Sequence, residues 1–152
     1  MGRVGRALVT TIDILRWLHV IGATVLLGTG AGIAFFMFMA NRTRDPMLIA
    51  HTAGIVVLAD LVFTASAVVV QPITGVLLAQ QIGWPLTQGW LMVSIVLYLV
   101  TGLCWLPVVW IQIQLRNMAR DAAKTGAPLP ARYHQLFSVW FVLGIPAILS
   151  VL

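Results

Sequence analysis

Apolar residues gather into four long runs, roughly 17–39, 50–78, 90–111 and 136–152, separated by short polar stretches. Crossing a bilayer as a helix takes about 20 apolar residues. The pattern therefore predicts an all-α, transmembrane four-helix bundle forming one integral membrane domain over residues 1–152. The second run is longer than a crossing requires, which predicts tilt, a kink or projection from the membrane. The first run exceeds the ~7–15 apolar residues of a secretory signal, and no small-x-small site ends it.

Composition sharpens this. Hydrophobic residues make up 61% of the chain and charged residues 9%, against about 25% charged in soluble domains. The formal charge of +5 does not indicate nucleic acid, because the basic residues sit in tails and loops beside the apolar runs. "NRTRDP" carries Arg42 and Arg44; "RNMARDAAKTGAPLPAR" carries Arg116, Arg120, Lys124 and Arg132; "QQIGWPLTQG" carries no charge. The positive-inside rule then puts loops 40–46 and 116–132 in the cytoplasm and both termini on the outer side of the membrane, which is the periplasm if the membrane is the bacterial inner one that the resemblance below implies. Arg3, Arg6 and Arg16 argue the other way. The single cysteine, Cys104, cannot form an internal disulfide.

Polar groups inside apolar spans are costly and usually face the bundle interior or a pathway. At about 100° per residue, Asp60, Thr64, Gln71 and Thr74 share one stripe of the second run. Ser94, Tyr98, Thr101, Trp105 and Gln112 share one stripe of the third. Two such stripes on antiparallel neighbours predict a common polar seam, serving either as hydrogen-bonded glue or as a ligand or proton site. Asp60 is the one acid deep in a span. Prolines 72, 107 and 146 each remove a backbone bond, leaving carbonyls near Val68, Leu103 and Val142 in need of partners.

The histidines differ in depth. His19 lies near the start of the first run, whereas His51 and His134 lie near the opposite face. A bis-histidine pair is therefore open to His51 with His134, and His19 would need another opposite ligand, with Gln71, Met92 and Ser94 at similar depth. Gly28 and Gly32 have the GxxxG spacing of close helix packing; a flat macrocycle on that face is the alternative. Soluble-enzyme motifs, phosphate loops and the CxxCH haem-attachment motif are absent. The six methionines form no MxxM array that would suit copper.

"LRWLHVIGATVLLGTG", "ADLVFTASAVVVQPITG", "GWLMVSIVLYLVTGLCWLPVVWIQIQLRNMA" and "YHQLFSVWFVLGIPA" resemble a family of uncharacterised bacterial integral membrane proteins. More distantly, the chain is similar to the CopD-like group, which includes the HemJ-type protoporphyrinogen IX oxidases. That resemblance implies haem b at the histidine of an LH-x-I/V-G/A element, here Leu18-His19-Val20-Ile21-Gly22. Where those oxidases carry a GWL-x-x-K lysine, this chain has Ser94, which removes a residue implicated in the oxidase reaction. The expectation is a membrane haem b or porphyrin binder for electron transfer or haem handling, with His19 toward the iron and Gly22, Asp60, Gln71, Ser94 and Tyr98 around the cofactor. Two alternatives are a small metal-ion or proton transporter, and a structural subunit that meets a homodimer or complex partner in the bilayer.

Overall fold

The computed structural model describes residues 3–151, with side chains described from Thr10 onward, and these residues are almost wholly helical. Helix α1 runs Arg3–Thr43, α2 Pro46–Ala59, α3 Ala65–Ile82, α4 Gly89–Thr125 and α5 Ala131–Leu149. A π-helical turn, Asp60–Thr64, joins α2 to α3 without a break. At 1.5 Å per residue, the 41 residues of α1 extend about 60 Å, well beyond the ~30 Å hydrocarbon thickness.

The connections are made by specific residues. Arg44, at φ 57, turns the chain back after α1. Asp45 then caps α2, accepting from the Met47 backbone N–H at 2.8 Å, with Pro46 opening the helix where no N–H is needed. Gly83 (φ 84) and Gly126 (φ 68) end α3 and α4 in the left-handed conformation that glycine adopts without strain.

Three segments are long and apolar enough to cross a membrane: 10–43, 46–82 and 89–125. The fourth predicted crossing is weaker, because α5 has 19 residues and opens on Arg132, Tyr133, His134 and Gln135. Thr101 of α4 meets Ser150 of α5 hydroxyl to hydroxyl at 2.8 Å. The described part of α5 therefore accompanies only the second part of α4, and residues 89–100 of α4 are left largely bare.

The buried core lies toward the basic loops. Ile33, Met37, Ile49, Ala53, Val56, Ile111, Leu115, Tyr133 and Trp140 interlock α1, α2, α4 and α5 there. Toward the other end the arrangement opens. α3 turns to α1, and α3 and α4 no longer pack along their length. The π turn is where the second membrane segment exchanges α4 for α1 as its main neighbour.

Most hydroxyls in the apolar helices are satisfied locally. Thr24, Ser66, Ser94, Thr101 and Ser138 each donate to the carbonyl four residues back. Ser94 and Thr101 thus need no polar partner on α3, and two of the five residues of the third run's predicted stripe drop out of the seam.

Candidate functional site

Two separate polar clusters replace the single predicted seam. The first joins α1 to α3. His19 Nδ1 lies 2.9 Å from Thr74 Oγ1. That hydroxyl is also 2.8 Å from the Val70 carbonyl and 3.1 Å from the Gln71 carbonyl. The one Thr74 proton has both carbonyls and Nδ1 within reach, so the direction of the His19–Thr74 bond follows the tautomer of the ring. When the ring proton is on Nδ1, Thr74 Oγ1 accepts it and the lone pair lies on Nε2.

Gln71 completes the cluster. With its amide turned to match its neighbours, Nε2 donates to the His19 carbonyl at 2.8 Å and Oε1 accepts from the Ala23 N–H at 3.2 Å. In this orientation the same nitrogen also donates toward His19 Nδ1 at 3.3 Å when that atom carries the lone pair.

Two glycines make this closeness possible. A Cβ at Gly22 would come within 2.7 Å of the Gln71 amide end, and a Cβ at Gly75 within 3.2 Å of His19 Cε1. The "LHVIG" and "QPITG" stretches are therefore two halves of one interlock. Gly22 was expected beside a cofactor; the space its missing side chain leaves is filled by Gln71.

The second cluster lies at the π turn. Asp60, 3% exposed, accepts at Oδ1 from Trp105 Nε1 at 3.1 Å. Gln112, with its amide oriented to satisfy both sides, donates to Asp60 Oδ2 at 3.0 Å and accepts from Trp140 Nε1 at 3.2 Å. Both carboxylate oxygens thus act as acceptors for donors from α4, and one of these donors, Gln112, is itself tied to α5 through Trp140. The Thr64 hydroxyl is beside this carboxylate but has no hydrogen bond of good geometry. Asp60 precedes Gln71 by 11 residues, about 16 Å along the helix, so the two clusters are distinct.

Tyr98 belongs to neither. Its hydroxyl donates to the Val68 carbonyl at 2.5 Å, the carbonyl that Pro72 deprives of its helical partner. Among the described side chains, this is the one proline-freed carbonyl that gains a donor. Ser94 bonds its own helix at the Trp90 carbonyl. Four residues before Tyr98, it is level with Pro72, within about two residues' rise of His19.

The remaining candidates do not converge. His51 and His134 are exposed and line different cavities. No group of three or more His, Cys, Asp or Glu suited to a metal ion occurs among the described residues. A Cβ at Gly28, Gly30 or Gly32 would meet nothing within 4 Å, so the GxxxG face is not used inside this chain. The Asp60–Gln112–Trp140 relay went unseen because Trp140 gave no polar signal in an apolar run.

An all-helical protein with apolar segments of membrane-crossing length, joined by buried hydrogen-bonded polar clusters, is an integral membrane protein. The chain belongs to the family described as predicted integral membrane protein (DUF2269), whose model matches residues 13–152. No curated protein and no solved structure matches it.

Proposed function

We propose that this chain is a four-helix protein of the bacterial inner membrane, of the CopD/HemJ-like type, that binds haem b or a related porphyrin through His19. The observation that carries the reading is the His19–Thr74 pair. A histidine that binds metal through one nitrogen donates its other ring N–H to an acceptor, and Thr74 Oγ1, 2.9 Å from Nδ1, is such an acceptor when Nδ1 carries the proton. Thr74 fixes the ring, Gln71 fixes the α1 backbone carrying it, and Gly75 leaves space against its Cε1 edge. The donor set fits iron from one side, with Nε2 as the protein ligand. Bound haem supplies a one-electron couple. Ser94, at the position of the oxidase lysine, offers no ammonium near that level, so electron transfer or haem handling is the proposed role rather than porphyrinogen oxidation.

Tryptophans support a placement in the bilayer. Trp90, eight residues before Tyr98, is level with Val76, eight after Val68. Trp17, two before His19, is also level with Val76, two after Thr74. Indoles favour the membrane interface. A hydrocarbon slab of about 30 Å, or some 20 residues, then reaches from Val76 to near Val56. His19 lies just inside one face, and Asp60 just inside the face bearing the basic loops.

Transport is disfavoured by the saturation of Asp60 and Gln71, which leaves neither turned to a water path. The structural-subunit reading keeps support from the bare stretch 89–100 of α4 and the open glycines of α1. Absorption spectroscopy separates the two. Protein expressed with haem supplied should show a Soret band that His19→Ala abolishes. A colourless wild-type protein favours the subunit.

A further inference from the structure

A second site lies at the opposite face, outside both polar clusters. A cavity of about 410 Å³ between α2 and α4 is lined by Ala50, His51, Gly54, Ile55, Leu58 and Arg120. Arg120 starts near the end of α4 and its guanidinium reaches back to Gly54. A Cβ there would lie 3.4 Å from Arg120 Nη2, so the glycine is the notch in which the guanidinium rests. Arg120 makes no ion pair or hydrogen bond among the described residues, where the one ion pair is Arg16–Asp13. His51 is likewise unpaired. Two groups capable of donating thus face one groove with no acid among its lining residues.

The groove continues toward the hydrocarbon region. Ile55 is 57% exposed and Leu58 61%, on the α2 face one and two turns beyond His51. By the tryptophan placement, Val56 marks the interface on this side. Arg120 and His51 therefore lie at headgroup depth, while Ile55 and Leu58 border the acyl region. Such a basic notch above an apolar strip complements an anionic phospholipid: charge-assisted bonds to the phosphate and dispersion contacts to a chain. Long cationic side chains at helix ends reach the headgroup layer in this manner.

We propose that the α2–α4 groove is a binding site for one anionic phospholipid, its phosphate on Arg120 and His51 and an acyl chain along Ile55 and Leu58. The site is independent of the haem reading.

The test is lipid retention by the full-length protein. Detergent-solubilised protein is incubated with mixed micelles of phosphatidylglycerol and phosphatidylcholine, and bound lipid is counted by native mass spectrometry. One phosphatidylglycerol should be retained in preference to phosphatidylcholine. Arg120→Gln should weaken it roughly tenfold, the loss of one charge-assisted bond of about 1.4 kcal/mol. Gly54→Val, which fills the notch while keeping every charge, should weaken it as well. Arg120 is exposed, so its replacement leaves the core intact, and unchanged tryptophan fluorescence checks this. Equal retention of both lipids, or retention indifferent to Arg120→Gln, overturns the proposal. Displacement by inorganic phosphate as effective as by lipid also overturns it, since the site would then take the free anion.

Discussion

Replacing Asp60 by Asn tests the directionality of the second cluster. In the native network every donor has an acceptor: Trp105 and Gln112 give to the carboxylate, and Trp140 gives to Gln112. The asparagine amide introduced by Asp60→Asn can still accept from Trp105, but its own –NH2 then faces the Gln112 –NH2. Turning Gln112 over moves the conflict to Trp140. One buried donor is left facing another in either arrangement. An unsatisfied buried donor costs about 1–3 kcal/mol in soluble proteins, while hydrogen bonds in membrane proteins average ~0.6 and reach ~1.7 kcal/mol. Asp60→Asn should therefore cost about 1–2 kcal/mol. Adding Gln112→Glu restores polarity, because one oxygen of the new carboxylate accepts from the introduced amide and the other from Trp140. The double variant should recover to within about 0.5 kcal/mol of wild type. The assay is reversible unfolding in mixed micelles titrated with dodecyl sulfate, followed by tryptophan fluorescence, to which Trp105 and Trp140 report directly. Wild-type stability of Asp60→Asn, or a double variant no better than the sum of the singles, refutes the directed network.

Tyr98→Phe should destabilise by about 1 kcal/mol by stranding the Val68 carbonyl, and Pro72→Ala, which returns an N–H to that carbonyl, should remove most of that penalty in a double-mutant cycle. Tyr133 is fully buried with no partner for its hydroxyl; Tyr133→Phe should be neutral or stabilising in the same titration, and a loss above roughly 1 kcal/mol would reveal a hydrogen bond the packing does not predict. Gly75→Val should push on the His19 ring and lower haem content in parallel with His19→Ala, with retained tryptophan fluorescence showing the fold intact; unchanged haem content would separate Gly75 from the ligand.

Hydrophobic run length carried much of the architecture. Runs of apolar residues punctuated by Asp45-Pro46, Gly83 and Gly126 mark where helices start and stop, and the observed elements follow those marks. Helix lengths were underestimated because amphipathic ends such as 112–125 continue as helix beyond the apolar segment. Polar stripes were harder. Counting at a fixed angle identified the buried face of 60–74 correctly, yet could not say which neighbour that face meets. The neighbour changes at the π turn, which no residue type announces. Serine and threonine also misled, since Ser94 and Thr101 close on their own carbonyls. Of the residues that meet His19, Gln71 was legible as one of three at similar depth, with Met92 and Ser94, and Thr74 only as a member of the stripe of the second run. What binds them is the absence of side chains at Gly22 and Gly75, on two different helices, and pairing distant glycines requires the register that the fold supplies.

The haem reading stands or falls on the absorption spectrum of the purified protein, expressed with haem supplied. A Soret band at about one haem per chain is expected, lost in His19→Ala and shifted in Thr74→Val, which removes the hydroxyl that holds Nδ1. A wild-type protein without a Soret band, or a band that His19→Ala leaves unaltered, would rule it out.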